Sequence, residues 1–388
     1  MVTSKKYYNN RYILLFIATV INFPAGSAAI WSIFQPYAMK YFNIDIGFAN
    51  MPFSVYMEMF VIGNIFAGYL QTKLLPAPCI YLFSGIMCLG YLLSGFISSE
   101  YPIFIVLTYG VLSGLGSGAS YNIILSTITK WFNDKKGLAS GIVVCAVGMN
   151  GFIMSPLCNK LLFVYGFSKS MILIALIYGI IIGAGAWIIH LPDIDGKAVE
   201  KTHESVLVKN YTPKELIKKK EFYFISGAMA FGMATYFIIS PMTKTLGLQR
   251  GLSETEAVMA VMIIAVANCL GRLISTSLSD IIGRKKTLII LYLLTGISAL
   301  ILLNASNIIY IICVSLISFG YGGMFGVFPV VAIEQFGSKY SGLNYGIIMI
   351  GYGIVSLFCP YLVAIGITFA FLAAVISCVI GIILIYKI

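Results

Sequence analysis

The chain has 388 residues, 60% of them hydrophobic and only 10% charged, and its mean hydropathy is +0.95. Soluble domains carry roughly 25% charged residues, which excludes a soluble enzyme or binding module and leaves a polytopic membrane protein, each span needing about 20 mostly apolar residues. The net charge of +11 does not indicate a nucleic-acid binder, because the basic residues sit in short loops between apolar runs without the aromatic interleaving of nucleic-acid surfaces.

Apolar runs cover residues 12–39, 48–70, 79–97, 102–130, 137–163 and 168–189. The first lacks a small-residue cleavage pattern and reads as a helix that stays in the membrane. A polar stretch, 190–221, follows. Six further runs cover 222–245, 255–278, 287–304, 308–333, 341–362 and 364–386. The expected fold is therefore all-α, with twelve transmembrane helices in two six-helix bundles, 1–189 and 222–388, joined by a linker loop at 190–221. Within that linker Thr212 and Pro213 read as the N-cap and first position of a short amphipathic helix.

Lysine and arginine are unevenly divided between alternate loops. With both termini inside, Lys5, Lys6, Arg11, Lys73, Lys130, Lys135, Lys136, the linker lysines, Arg284, Lys285, Lys286, Lys339 and Lys387 fall in the cytoplasm. Only Lys40, Lys160, Lys169, Lys244 and Arg250 fall opposite. Cytoplasmic loops carry the positive excess, so both termini are expected in the cytoplasm, in a plasma (inner) membrane or an organelle membrane.

The eight cysteines form no Cys-x-x-Cys pair and the two histidines lie in or beside the linker. Buried reduced thiols are expected, with neither a metal site nor a cofactor.

Ionisable side chains in mid-membrane are costly and mark functional sites. Arg272 lies well inside the eighth run, with Asn268 one turn before it and Ser275, Thr276 and Ser279 after it at helical spacing. A guanidinium facing the bundle interior suits a carboxylate, which it holds through two parallel hydrogen bonds; the alternative is a structural arginine paired to backbone carbonyls or to Glu58. Glu58, in the second run, is a candidate for proton coupling or gating, since burial disfavours a charged carboxyl. A neutral acid or an interhelical hydrogen bond explains it slightly better. Trp31, Tyr121, Tyr321 and Tyr352 neighbour glycines or polar residues and are candidates to line a cavity. Gly110, Gly114 and Gly118, and the group Gly320, Gly322, Gly323 and Gly326, let helix backbones approach closely.

The segment Asp280-Ile281-Ile282-Gly283-Arg284-Lys285-Lys286 resembles the signature loop of the major facilitator superfamily. At the matching place in the first half stand Thr72 and Pro76, so that copy lacks the acid. Lys130-Trp131-Phe132-Asn133-Asp134-Lys135-Lys136-Gly137, Asn268-Cys269-Leu270-Gly271-Arg272 and the stretch from Asn344-Tyr345-Gly346 to Pro360 are similar to the oxalate/formate antiporter family, close to the monocarboxylate porters. Gly26-Ser27-Ala28-Ala29-Ile30-Trp31 resembles that family's first helix. The resemblance implies alternating access, small carboxylates as cargo, Arg272 as the group that neutralises the substrate, and Trp31, Tyr121 and Tyr321 around the cavity. Asp280 and Arg284 are expected to form a gating charge network. Oxalate carriers have a second cation, a lysine before glycine in helix eleven; here that position is Tyr352. One cation suits one carboxylate, which points to monocarboxylates such as lactate, pyruvate or formate. Proton-coupled porters often carry an aspartate one turn before the arginine, where this chain has Asn268, so proton symport and anion exchange both stay open. A monomer is expected.

Overall fold

The computed structural model describes residues 10–70, 74–132, 136–190, 210–337 and 340–388. Lys5, Lys6, Thr72, Lys73, Asn133, Asp134, Lys135, Lys339 and the linker lysines at 197, 201 and 209 lie outside the described residues, so those parts of the charge and motif readings have no structural counterpart.

All regular structure among the described residues is helical. Among the described residues eleven helices are long and apolar enough to cross a membrane: α1 (Arg11–Phe42), α2 (Ile46–Leu70), α3 (Pro76–Ser94), α4 (Ile103–Trp131), α5 (Gly141–Ile188), α6 (Lys220–Gln249), α7 (Glu254–Ile282), α8 (Arg284–Leu302), α9 (Asn307–Phe336), α10 (Leu343–Ile365) and α11 (Ile367–Tyr386). The difference from the expected twelve lies in α5. The runs 137–163 and 168–189 join in one element with Gly166 inside it at φ 71° and ψ −176°. Glycine reaches that conformation without steric penalty, so the chain can change direction there with no polar loop.

Local chemistry sets the helix ends. Ser253 and Glu256 form a capping box at the start of α7: the Glu256 amide donates to Ser253 Oγ at 3.3 Å, and the Ser253 amide donates to Glu256 Oε2 at 2.8 Å. This satisfies two otherwise orphaned donors. Thr212 and Glu215 do the same for Pro213–Leu216. The helix expected in the linker is thus a single turn, with Leu216 buried.

Helix α1 tightens to a 3₁₀ stretch at Phe23–Ile30, and α6 does so at Ser240–Met242 around Pro241. Both irregular stretches lie in apolar helices, where neighbouring helices must re-satisfy the freed backbone groups. The small residues Ala25, Gly26, Ala28 and Ala29 thereby form one wall of the central cavity.

The glycine rows serve close packing. Helix α4 lies against α2, and a Cβ on Gly118 would overlap the Phe60 carbonyl oxygen. Helix α9 lies against α7, where a Cβ on Gly322 would overlap the Asn268 carbonyl. This is the small-residue packing by which membrane helices associate. Across the bundle, α10 packs on α2 and α5 on α7. Large apolar side chains such as Phe96, Phe163, Ile180 and Ile281 stay exposed around the outside, as a lipid-facing surface requires.

Candidate functional site

A cavity of about 80 Å³ opens in the middle of the bundle. Small residues of α1 form one side of it. Tyr56, Met57 and Phe60 of α2, Tyr121 of α4, Val147 and Gly148 of α5 and Tyr236 of α6 add to the wall. Ala265, Asn268 and Arg272 of α7, Tyr321 and Phe325 of α9 and Tyr352 of α10 complete it. Arg272 is the one charged residue among those that line it.

The arginine is held from two sides. Its Nε donates to Asn268 Oδ1 at 3.1 Å, one turn earlier on the same helix. Its guanidinium carbon lies 4.5 Å from the centre of the Phe325 ring, a cation–π distance. Neither contact neutralises the charge. Arg272 makes no ion pair among the described residues, whose salt bridges belong to Lys244 and Arg284. The structural alternative of an Arg272–Glu58 pair is therefore not realised. With Nε on Asn268, the two terminal nitrogens are the guanidinium's remaining donors, a pair whose fork geometry matches a carboxylate.

Aromatic rings build the rest of the wall. Tyr236 stacks on Tyr321 with centroids 3.8 Å apart and planes 13° from parallel. The hydroxyls of Tyr321 and Tyr352 lie 3.3 Å apart, and the Tyr352 hydroxyl donates to Met57 Sδ at 3.4 Å. That last contact joins α10 to α2. The cavity is thus apolar-walled, with a few convergent polar groups and one cation, the usual composition of a small-ligand site.

Of the residues singled out from sequence, Arg272, Asn268, Tyr121, Tyr321 and Tyr352 come together here. Trp31 does not. Its indole is fully buried, donates to the Ala49 carbonyl at 2.9 Å and packs on Tyr109 at 4.5 Å. A buried tryptophan takes an acceptor for its N–H, and here that acceptor lies away from the cavity. Glu58 also misses the cavity, although its neighbour Met57 lines it. The Glu58 carboxyl faces α10 at Gly353, where a Cβ would collide with it, and Oε2 is buried without a hydrogen-bond partner. Asp280 and Arg284 form an ion pair at one end of the bundle. Arg284 also donates from Nε to Glu334 Oε1 at 3.1 Å and from Nη1 to Ser279 Oγ at 2.6 Å, so the network ties the ends of α7, α8 and α9.

Sequence reasoning missed Tyr236 and Phe325, whose immediate sequence neighbours are mostly apolar or small. The one available signal was that Phe325 follows Tyr321 by four residues on the same face. It also missed Lys244, at the other end of the bundle. Lys244 is 1% exposed and pairs with Glu254 at 2.5 Å. It donates to Asn159 Oδ1 at 2.7 Å and sits 5.0 Å from the Tyr37 ring centre. Beside it Thr245 Oγ1 donates to Gln35 Oε1 at 2.6 Å, and Gln35 in turn bonds Asn50.

A glycine-packed helical bundle with one arginine in a central aromatic cavity fits a carrier family, and comparison with known families decides which. Residues 15–360 match the Major Facilitator Superfamily. The chain belongs to that superfamily. It is a multi-pass integral membrane protein of the superfamily's transporter type. Among known members it is similar to YhjX, an uncharacterised MFS-type transporter of Escherichia coli: 28% identical over 364 residues, covering 92% of this chain and 88% of that one. It is also similar to the oxalate:formate antiporter of Oxalobacter formigenes, 26% identical over 357 residues, 90% and 83%. A third relative is the apicoplast pyruvate carrier 1 of Toxoplasma gondii, 23% identical over 351 residues, 74% of this chain and 64% of the carrier.

Proposed function

We propose that the chain is a secondary active transporter of small monocarboxylates of the lactate, pyruvate or formate type, working by alternating access. The observation that carries this reading is Arg272: a guanidinium with no carboxylate partner among the described residues, on the wall of a small aromatic cavity. A carboxylate supplies the missing countercharge, and its short apolar remainder packs on Tyr236, Tyr321 and Phe325. With one cation among the lining residues, a second carboxylate would enter low dielectric uncompensated. The names of the relatives, which include an oxalate:formate antiporter and a pyruvate carrier, agree with the substrate class and leave dicarboxylates as the alternative within it. A non-transporting anion sensor is the reading from another class. The longest polar segment, 190–221, is too short to fold as an output domain.

In this reading Gly166 is the turn between a fifth and a sixth crossing, giving twelve spans. The halves are 1–189 and 222–388, with 190–221 as linker, and both termini and the linker face the cytoplasm from a plasma membrane. The Asp280–Arg284–Glu334 network then guards the cytoplasmic end, and the Lys244–Asn159 contact closes the opposite end. The working unit is a monomer that needs no prosthetic group, and coupling is by proton symport or anion exchange.

Proteoliposomes holding the purified chain test the reading. Uptake of labelled lactate, pyruvate or formate should saturate and be competed by other monocarboxylates more strongly than by oxalate. Binding without uptake would instead indicate a sensor, and preferential competition by oxalate would indicate a dicarboxylate carrier.

A further inference from the structure

Two of the eight cysteines stand apart from the rest. Cys145 of α5 and Cys269 of α7 bring their sulfurs to 2.7 Å, and both are free thiols. The Cys269 thiol also faces the Cys145 carbonyl oxygen at 3.8 Å. The site is built by close packing, since a Cβ on Gly148, one turn after Cys145, would lie 3.6 Å from both Cβ and Sγ of Cys269. Neither cysteine lines the cavity, but their neighbours Gly148 and Asn268 do. Cys269 precedes Arg272 by three residues, about one helical turn. Cys145 is half-buried and Cys269 is buried.

We propose that Cys145 and Cys269 form an oxidation site at which a hydroperoxide converts the two thiols into a disulfide that tethers α5 to α7 and stops transport. The bond length of a disulfide is about 2.0 Å, so the sulfurs need only a small side-chain rotation. In the first step one sulfur, as thiolate, attacks a peroxide oxygen. The O–O bond breaks, a sulfenic acid forms, and the departing oxygen takes a proton to leave as water. In the second step the other sulfur attacks the sulfenic sulfur, the S–S bond forms, and the hydroxyl leaves with a proton as a second water. Overall two thiols lose two electrons and two protons, and hydrogen peroxide becomes two waters. The consequence for transport rests on the two-half reading under Proposed function, because the tether joins one half to the other beside the proposed substrate arginine.

The test uses the full chain in proteoliposomes, treated with hydrogen peroxide and then with dithiothreitol. Mass spectrometry of the digested protein should find the Cys145 and Cys269 peptides joined and two hydrogens lighter than their sum. Carboxylate uptake should fall to the level of empty vesicles, and dithiothreitol should reverse both changes. Cys145→Ser and Cys269→Ser should transport normally and be unaffected by peroxide. Backbone hydrogen exchange around Asn159 and Thr243 to Thr245 reads the tether without substrate and should slow on oxidation of the wild type only. Absence of the joined peptides, equal inhibition of both serine variants, or a disulfide that leaves hydrogen exchange unchanged would each overturn the proposal. An untreated protein that takes up no carboxylate would overturn the transport reading alone, and the peptide and exchange measurements would still decide the tether.

Discussion

Lys244 of α6 donates from Nζ to Asn159 Oδ1 of α5 at 2.7 Å, joining two helices 85 positions apart in sequence. The lysine is 1% exposed and half-exposed Glu254 is its ion-pair partner. A buried charge is tolerated only while it is paired and hydrogen-bonded, so this contact favours the state in which α5 and α6 meet. An opening motion at that end must break it and hydrate the ammonium.

The first prediction follows from that contact. Lys244→Met removes the bonds to Asn159 and Glu254 together and leaves the Gln35–Thr245 bond as the remaining bridge. The end of the bundle carrying these residues should open more often. Leu246→Cys, at a position buried here, should react faster with a membrane-impermeant maleimide in the Lys244→Met background. Equal labelling rates in both backgrounds would remove Lys244 from any gating role.

The network at the opposite end predicts a different balance between stability and function. Asp280 and Glu334 are 61% and 51% exposed and share one arginine. Exposed ion pairs contribute about 0–1 kcal/mol each. Asp280→Asn should therefore leave thermal stability in detergent nearly unchanged. It should shift the inward–outward distribution, read as altered alkylation, from the Arg284 end, of a cysteine introduced in the cavity wall as Val147→Cys. Glu334→Gln should act in the same direction, because both carboxylates hold the same guanidinium. A large loss of stability with no change in accessibility would make the network structural.

Much of this architecture was legible in the sequence because the bilayer imposes it. Apolar runs of spanning length must be helices, and Gly110, Gly114 and Gly118 announced a close helix approach, though not that its partner is α2. Arg272 stood out because mid-membrane cations are rare, and Asn268 followed from helical spacing. Direction around a helix is harder to read where nearly every residue is apolar. Nothing in the sequence marks the face of α6 that turns Tyr236 to the cavity, or the orientation that turns Trp31 toward Ala49. Lys244 looked like an ordinary loop cation at the end of a run. Its burial depends on Asn159 and Tyr37, distant in sequence, and on the 3₁₀ stretch at Ser240–Met242, beyond which α6 packs on α1.

Glu58 offers a test of coupling. Its Oε2 is buried without a partner and faces Gly353 of α10. A protonated carboxyl has a donor and no charge, and glutamine is its neutral mimic. If Glu58 carries the coupled proton, Glu58→Gln should retain exchange of internal for external carboxylate. The same variant should lose the stimulation of net uptake by an inward proton gradient. Undiminished proton-driven uptake would assign Glu58 a packing role.

For Arg272 the expectation is a loss of binding in a folded protein. Truncating one member of a buried, hydrogen-bonded charge pair costs about 2–5 kcal/mol, or roughly 30-fold or more in affinity. Arg272→Ala should weaken carboxylate binding by at least that factor, measured by ligand-induced thermal stabilisation alongside uptake. Arg272→Lys should also bind poorly. An ammonium cannot reproduce the two-pronged contact, nor keep Nε on Asn268 while presenting two nitrogens to the substrate. Unchanged affinity in folded Arg272→Ala would mean that the arginine serves structure.

Tyr352 tests the charge-matching argument itself. It is 1% exposed, lines the same cavity as Arg272, and its hydroxyl meets those of Tyr321 and the sulfur of Met57. Tyr352→Lys places a second cation on the cavity wall and removes the hydroxyl contact from α10 to Met57. A monocarboxylate then satisfies one of two cations and leaves the other uncompensated in low dielectric, so monocarboxylate uptake should fall. A dicarboxylate can satisfy both, so the ratio of oxalate to lactate competition should rise relative to the wild type. Tyr352→Phe separates charge from packing: it removes the hydroxyl contacts but adds no cation, and should leave that ratio where it was. If Tyr352→Lys lowers lactate and oxalate affinity by the same factor as Tyr352→Phe, the number of cations does not set the substrate's charge.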